Sequence, residues 1–283
     1  MLSTYVLFSA FGIFAVLETF RPRRRLIAPV GRRWLQAALL AFLINSPQGW
    51  IYPATAVVLA SAVRTSSYGL LNRGLPFWLR FVVGFVLLDL LRYGQHRLYH
   101  AIPGLWRIHR LHHSDPDCDW STGLLFHPGE MLLSQLTYLG VIALLAPPPL
   151  AVLCLEVVSI AQNIFEHANV AIPFRVDGLM RRIFITPDVH HIHHSEGLSD
   201  LNRNFGTVFS WWDRIFGTYL PAPAAGYANM RMGLQDLAGG QGLNVLQMLA
   251  LPFRKVVSLS NSKGCELIAE PCQLNPPDFV QKI

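Results

Sequence analysis

LLDLLRYGQHRLYHAIPGLWRIHRLHHSD, residues Leu87–Asp115, carries an apolar run straight into five histidines: His96, His100, His109, His112 and His113. A second dense group, His190, His191, His193 and His194, lies far downstream. Side chains so distant in the chain act together only if the fold joins them. The remaining sequence is therefore read as the scaffold that does so.

Composition sets the class. Of the 283 residues, 52% are hydrophobic and only 14% charged, against about 25% charged in ordinary soluble chains. Several apolar runs approach the ~20 residues that span hydrocarbon, so an integral membrane protein is expected. The net charge of +6 comes mostly from arginines beside apolar segments. That pattern follows the positive-inside rule and not a basic face for nucleic acid. Cys118, Cys154, Cys265 and Cys272 form no C-x-x-C pair and are read as free thiols in a reducing setting.

A first span at about residues 2–20 has its arginines after it and no cleavage site, so it reads as a retained span and not a signal peptide. Arg21, Arg23, Arg24, Arg25, Arg32 and Arg33 follow, which places that loop in the cytoplasm and the N-terminus outside. The apolar segment 34–63, interrupted by Asn45, Pro47, Gly49 and Pro53, is taken as one crossing, with residues 64–74 outside. A third span at 76–91 returns to the cytoplasm. A hairpin of 130–146 and 150–165 turns at Pro147-Pro148-Pro149, which cannot continue a helix. Five spans then leave every histidine cluster at or beyond a cytoplasmic helix end. Three regions result: an N-terminal transmembrane region 1–75, a catalytic region 76–253, and a loose, polar tail 254–283.

Asp89, Tyr93, His96 and His100 are spaced by four, three and four, which puts them on one helical face. Asp89 below the two imidazoles is expected to orient a ligating histidine, as carboxylates do around metals. His109, His112 and His113 form H-x-x-H-H, and His190, His193 and His194 repeat that spacing. His191 then points about 100° away. Eight imidazoles at ligand spacings exceed what one transition-metal ion takes, so two metals are implied, and imidazole suits Fe, Zn, Cu and Ni.

Other uses of histidine fit less well. H-E-x-x-H is absent, which disfavours a zinc protease. Metal sequestration or pH sensing needs no helical spacing and no supporting acid. Haem between spans needs single facing histidines inside the bilayer. H-P-G-E at 127–130 is similar to the haem-binding H-P-G-G of cytochrome b5, but it occurs once and abuts an apolar run. Taken alone, His127 and His167 read as structural.

H-R-L-Y-H (96–100), H-R-L-H-H-S (109–114) and T-P-D-V-H-H-I-H-H-S (186–195) resemble the membrane-bound fatty acid hydroxylase / sterol desaturase superfamily. S-T-G-L-L-F-H-P-G-E (121–130), F-E-H-A-N-V (165–170) and N-F-G-T-V-F-S-W-W-D-R-I-F-G-T-Y (204–219) resemble its bacterial members. The resemblance implies a non-haem di-iron centre that uses O₂ as co-substrate to oxidise a lipid C–H bond. Carried over by position, it implies metal ligation by His96, His100, His109, His112, His113, His167, His190, His193 and His194. It leaves His127 and Asn163, with Asp89 and Tyr93, as further metal-binding or supporting positions. Leu125, where the family often has Arg, and Gly129, where it often has Leu, are departures that bear on substrate contacts.

The expectation is an all-α integral membrane protein with about five transmembrane helices and a cytoplasmic, His-rich cap over a dimetal site. It is expected in the bacterial inner membrane. Oxidising an unactivated C–H bond lies beyond side-chain acids and bases and calls for a redox metal. Neither G-x-G-x-x-G nor a second cofactor motif is present, so an external ferredoxin-like or cytochrome-like donor with its reductase is expected, and no nucleic acid. The alternative from another class is a non-catalytic metal transporter or sensor. It predicts ionisable residues inside several spans, where Glu156 and Asp89 are nearly the only ones.

Overall fold

The computed structural model describes residues 2–48, 52–237 and 242–254. Among them there is no β-strand, only three isolated bridges such as Pro22 with Val170. The architecture is all-α. Long helices are α1 (Leu2–Phe20), α2 (Val30–Gln48), α4 (Phe77–Ala101), α6 (Pro128–Leu145) and α7 (Pro149–His167), with a shorter α3 (Tyr52–Val63). Small helices build the cap: α5 (Pro103–His109), α8 (Phe174–Met180), α9 (Pro187–His193), α10 (Leu198–Leu201), α11 (Trp211–Ile215) and α12 (Val245–Leu249).

The segment read as a single crossing at 34–63 is carried by two helices, α2 and α3. Residues 49–51 between them are not among the described residues. Gly49 and the tail from residue 255 lie outside the described residues, as do Cys265 and Cys272. Cys118 and Cys154 are free thiols.

Proline also starts the helices that matter most here. α5, α6, α7 and α9 each open on one, where the missing N–H has no intrahelical partner to lose. The α6–α7 turn is closed by Ala146 in the left-handed region, φ 50°.

α7 is the central post, packed against α1, α3, α4 and α9. Leu88, Tyr138, Ile142, Val152, Leu155 and Val208 form the main core. Outward-facing apolar side chains stud the long helices, among them Val16, Phe42, Val58, Val82, Leu136 and Leu150. Apolar surface on that scale marks a site of membrane or protein contact. Among the described residues, α6 and α7 are each long and apolar enough to cross a bilayer.

α4 has 25 residues, about 37 Å at 1.5 Å each, against a hydrocarbon core of about 30 Å. Its last two turns carry His96 and His100.

The arginines after α1 do more than follow a charge rule. Arg33 is buried and forks onto Asp115 (3.0 and 2.6 Å) and Asp119 (2.5 Å). It thereby pins the loop that follows His112 and His113. Glu18, near the end of α1, accepts from the backbone N–H groups of Trp120 (2.9 Å) and Asn169 (2.8 Å). These contacts fasten the cap to the helical bundle.

Candidate metal centre

Two clusters of imidazole nitrogens lie side by side where α4, α5, α7 and α9 meet. One contains His96, His100, His109, His113 and His193; the other contains His112, His167, His190 and His194. Within each, the nitrogens lie within 4.8 Å of one another. The nine histidines named above are thus brought together in groups of five and four.

The histidine triplets do not converge as units. α5 ends at His109, and His112–Ser114 is a 3₁₀ turn. His109 and His113 enter the group of five, while His112 crosses to the group of four. α9 does the reverse: His190 and His194 stay together, and His193 crosses over. The two groups therefore interlock.

Ring orientation is set by the backbone. His96 Nδ1 bonds Phe205 O (2.9 Å), His112 Nδ1 bonds Leu125 O (3.2 Å), His167 Nδ1 bonds Asn163 O (2.6 Å) and His193 Nδ1 bonds Arg203 O (2.8 Å). His109 Nδ1 bonds the Glu130 carboxylate at 2.7 Å. A carbonyl only accepts, so in the neutral rings of His96, His112, His167 and His193 the proton sits on Nδ1 and Nε2 presents a lone pair.

Nε2 atoms of both groups face one another, and for His112 and His167 both carry lone pairs. The Nε2 atoms of His112 and His167 are 3.1 Å apart, and those of His167 and His190 are 3.0 Å apart. His190 and His194 follow at 3.1 Å, and His109 and His113 at 3.2 Å. Two unprotonated nitrogens, as at His112 and His167, cannot hydrogen-bond each other. A metal ion with nitrogen bonds of about 2.0–2.1 Å sets neighbouring ligands at right angles about 3 Å apart, which matches this spacing. Buried nitrogens without any partner point the same way: Nε2 of His96, His100 and His193. The donor set fits two metal ions.

Protonation does not compete at neutral pH. Burial, reinforced by neighbouring histidines, holds His96, His100, His112, His113, His190 and His194 well below the usual 6.5. His193 is brought down to about 3, again chiefly by burial.

The supporting positions sort differently from expectation. Asp89 touches no histidine. Its carboxylate accepts from Trp212 Nε1 (2.7 Å) and Val208 N (3.3 Å), because its place on α4 faces the α11 segment. Glu130 takes the orienting role instead, from the first turn of α6. Sequence reasoning missed it, since an acid there looks like a helix-terminus charge. Asn163 offers its main-chain oxygen to His167, while its side chain donates to Gly123 O (2.6 Å). A Cβ at Gly123 would lie 3.2 Å from His167 Nδ1 and 2.9 Å from Asn163 Nδ2, so only glycine admits this approach.

Tyr93 bonds Thr218 (2.9 Å), and Thr218 donates to Asp213 (2.6 Å). Asp213 in turn accepts from the amides of Phe205 (2.7 Å) and Gly206 (2.8 Å). That relay holds the carbonyl that orients His96. Arg214 pairs elsewhere, with the Arg181 carbonyl at 3.0 Å. His127 lies outside both groups and caps α6 by accepting from Gly129 N at 3.0 Å. His191 also lies outside, bonded to His167 O at 3.1 Å. Phe205 and Trp106 wall the group of five, each ring centroid within 5.6 Å of at least two of its histidines. Phe126 stacks on His112 at 4.5 Å.

Residues 81–218 match the family model for fatty acid hydroxylase. That stretch, just under half of the chain, is similar to the fatty acid hydroxylase family. The family segment contains every grouped histidine and begins within α4, so α1–α3 lie outside it. Ornithine lipid hydroxylase OlsE of Rhizobium tropici is 30% identical over 182 residues, 64% of this chain and 52% of that protein. Alkylglycerol monooxygenase of Danio rerio is 28% identical over 145 residues, 51% of this chain and 30% of that protein. Cholesterol 25-hydroxylase of Rattus norvegicus is 30% identical over 142 residues, 49% of this chain and 46% of that protein. The match thus spans about half or less of these relatives' own lengths. No solved structure matches the chain significantly.

Proposed function

We propose that this chain is a member of the fatty acid hydroxylase family, an O₂-dependent, non-haem di-iron enzyme that hydroxylates, or desaturates, a C–H bond of a membrane lipid. The observation that carries the reading is the pair of interlocked imidazole groups, whose Nε2 atoms converge at 3.0–3.2 Å. His96, His100, His109, His113 and His193 would hold one iron, and His112, His167, His190 and His194 the other. When bound, iron would supply the activation of O₂: in hydroxylation one oxygen atom enters the lipid and the other leaves as water, and in desaturation both leave as water.

The protein's own part is to hold and shield. Backbone carbonyls and Glu130 fix the ring directions before metal binds, which lowers the ordering cost of assembling so many ligands. Burial of the group of four and the aromatic wall at Phe205, Trp106 and Phe126 keep water from the reacting position. His96 and His100 are the half-buried members, so a substrate chain is assigned to that side, where α4 rises out of the apolar belt.

The membrane arrangement belongs to the same reading: five crossings, with the α2–α3 segment as one broken crossing and the histidines on the cytoplasmic side of a bacterial inner membrane. The reaction consumes two electrons for each O₂, so a ferredoxin-like or cytochrome-like donor with its reductase is assigned as partner. The relatives' names favour an amphiphilic lipid or sterol as substrate.

The test is direct. Iron-loaded protein supplied with a lipid extract, O₂ and reductant is expected to yield a lipid heavier by one oxygen or lighter by two hydrogens. The product should vanish in His112→Ala. Full iron occupancy with no O₂ consumption against any lipid extract overturns the assignment.

A further inference from the structure

Beside the group of four lies a cleft of about 660 Å³ that the proposed reaction does not use. Arg23, Arg24, Arg25 and Arg231 line it, together with three carboxylates, Asp117, Asp188 and Glu196, an excess of one positive charge. Its volume falls among small-molecule sites, about 300–1,000 Å³, and its concave form is unlike a flat protein-docking face.

The carboxylates are already engaged. Asp117 accepts from the amides of Ile27 and Ala28 at 2.8–3.0 Å. Asp188 is forked by Arg23 (3.0 and 3.1 Å), and Glu196 reaches Arg231 at 3.5 Å. Half-buried Arg24 has no carboxylate partner among the described residues: its Nη2 donates to the carbonyls of Tyr227 (2.8 Å) and Met230. Arg25 is exposed and has no partner among the described residues. Two guanidinium groups without an ion-pair partner therefore face one concavity, where Asp117 leaves a net excess of one positive charge, and guanidinium is the side chain best matched to a phosphate oxyanion.

The depth of the cleft identifies the source of that anion. Arg23 N bonds Asn169 O (2.9 Å) and Ala171 N bonds Arg21 O (3.1 Å), which ties together the segments leaving α1 and α7. Arg23–Arg25 thus start at the level where two apolar helices end, three to five residues past Phe20. At ~3.3–3.6 Å per residue that is at most about 18 Å from the helix end, within or next to the headgroup layer of a membrane these helices cross.

We propose that the cleft is a receptor for the phosphate of an anionic lipid headgroup, held by Arg24 and Arg25. The cleft shares Asp188 and His191 with α9, the helix that carries His190, so an occupied cleft abuts the metal-binding helix. The placement rests on the membrane reading above, but the recognition itself needs neither metal nor turnover.

Metal-free full-length protein in detergent is the material for the test. Incubated with phosphatidylglycerol or phosphatidylcholine and analysed by native mass spectrometry, it is expected to retain the anionic lipid preferentially. Inorganic phosphate should compete only at far higher concentration. Arg24→Gln with Arg25→Gln should weaken retention at least tenfold. Should the double variant fail to fold, Arg25→Gln alone decides, since that exposed side chain has no partner to lose. Equal retention of both lipids overturns the proposal, as does unchanged retention in the variants. Inorganic phosphate binding as tightly as lipid assigns the cleft to a free anion and ends the headgroup claim. Variants that bind lipid normally but lose an acidic [2Fe–2S] ferredoxin make it a protein-docking surface and end it too.

Discussion

His113 and His194 stack at 24° with ring centroids 4.5 Å apart, although His113 belongs to the group of five nitrogens and His194 to the group of four. The two groups share a wall of imidazole. What happens to the ligands of one therefore reaches the other through ring contact, and occupancy of both is the quantity to measure.

Removing one ligand from each group separates their roles. His193→Ala takes a nitrogen from the first group and His190→Ala from the second. Each is expected to lower bound iron from about two towards about one per chain, read by elemental analysis of purified protein. Two irons retained in both variants would sink the two-group reading.

Glu130 and Asp89 are both buried acids near the centre, yet only Glu130 touches a histidine. Glu130→Ala leaves His109 Nδ1 without its acceptor and should weaken iron binding about 10–100-fold. Asp89→Asn should leave iron affinity nearly unchanged and lower the thermal unfolding temperature, since it disturbs the Trp212 and Val208 bonds. A metal-competition titration on both variants distinguishes them.

Arg33 is the buried strut between α2 and the loop after the second histidine motif. Arg33→Ala strands Asp115 and Asp119 without their counter-charge, and breaking a buried pair costs about 3–5 kcal/mol. The variant is expected to unfold at markedly lower denaturant concentration than wild type. Stability within about 0.5 kcal/mol of wild type would show that the strut is dispensable.

For the metal-free protein the pH dependence has a definite sign. Buried His193 titrates at about 3 when folded, and six other grouped histidines are likewise held below 6.5 by burial. Unfolded, each titrates near about 6.5. Above that pH neither state carries these protons, and stability is full. Below it the unfolded chain takes up protons that the folded chain refuses, so stability falls by up to about 1.4 kcal/mol per pH unit for each such histidine until its folded pKa is reached. The unfolding temperature of metal-free protein should drop between pH 7 and pH 5.5, and bound metal should reduce the drop. A flat profile contradicts the burial that underlies it.

The topology can be checked with cysteines at two exposed positions. Arg73→Cys should react with a membrane-impermeant maleimide added to spheroplasts, whereas Arg25→Cys should react only after lysis. The reverse pattern would place the histidines on the other side of the membrane.

Much of the centre was legible without coordinates. Spacings of three and four mark His96, His100 and the two H-x-x-H-H triplets as side chains that share local faces, because helical periodicity depends on neighbours in the chain. The same periodicity set His191 apart, and the structure turns that ring onto the His167 carbonyl. Composition likewise announced the apolar helices, since burial in hydrocarbon is a property of each segment alone.

Tertiary structure decided what depends on distant contacts. The exchange of His112 and His193 between groups follows from an α-helix giving way to a 3₁₀ turn after His109, opposite a short α9. Neither event leaves a mark in the spacing. Asp89 lies two helical turns before His96 on the same face and looked like its partner, but the acid that orients a grouped histidine is Glu130, brought in by α6 against His109. Sequence by itself determined which imidazoles could bind metal and that apolar helices would support the cap that holds most of them. Only the packing of α4, α6, α7 and α9 decided which nitrogens face each other, because a lone pair's direction is set by what the far side of its ring touches.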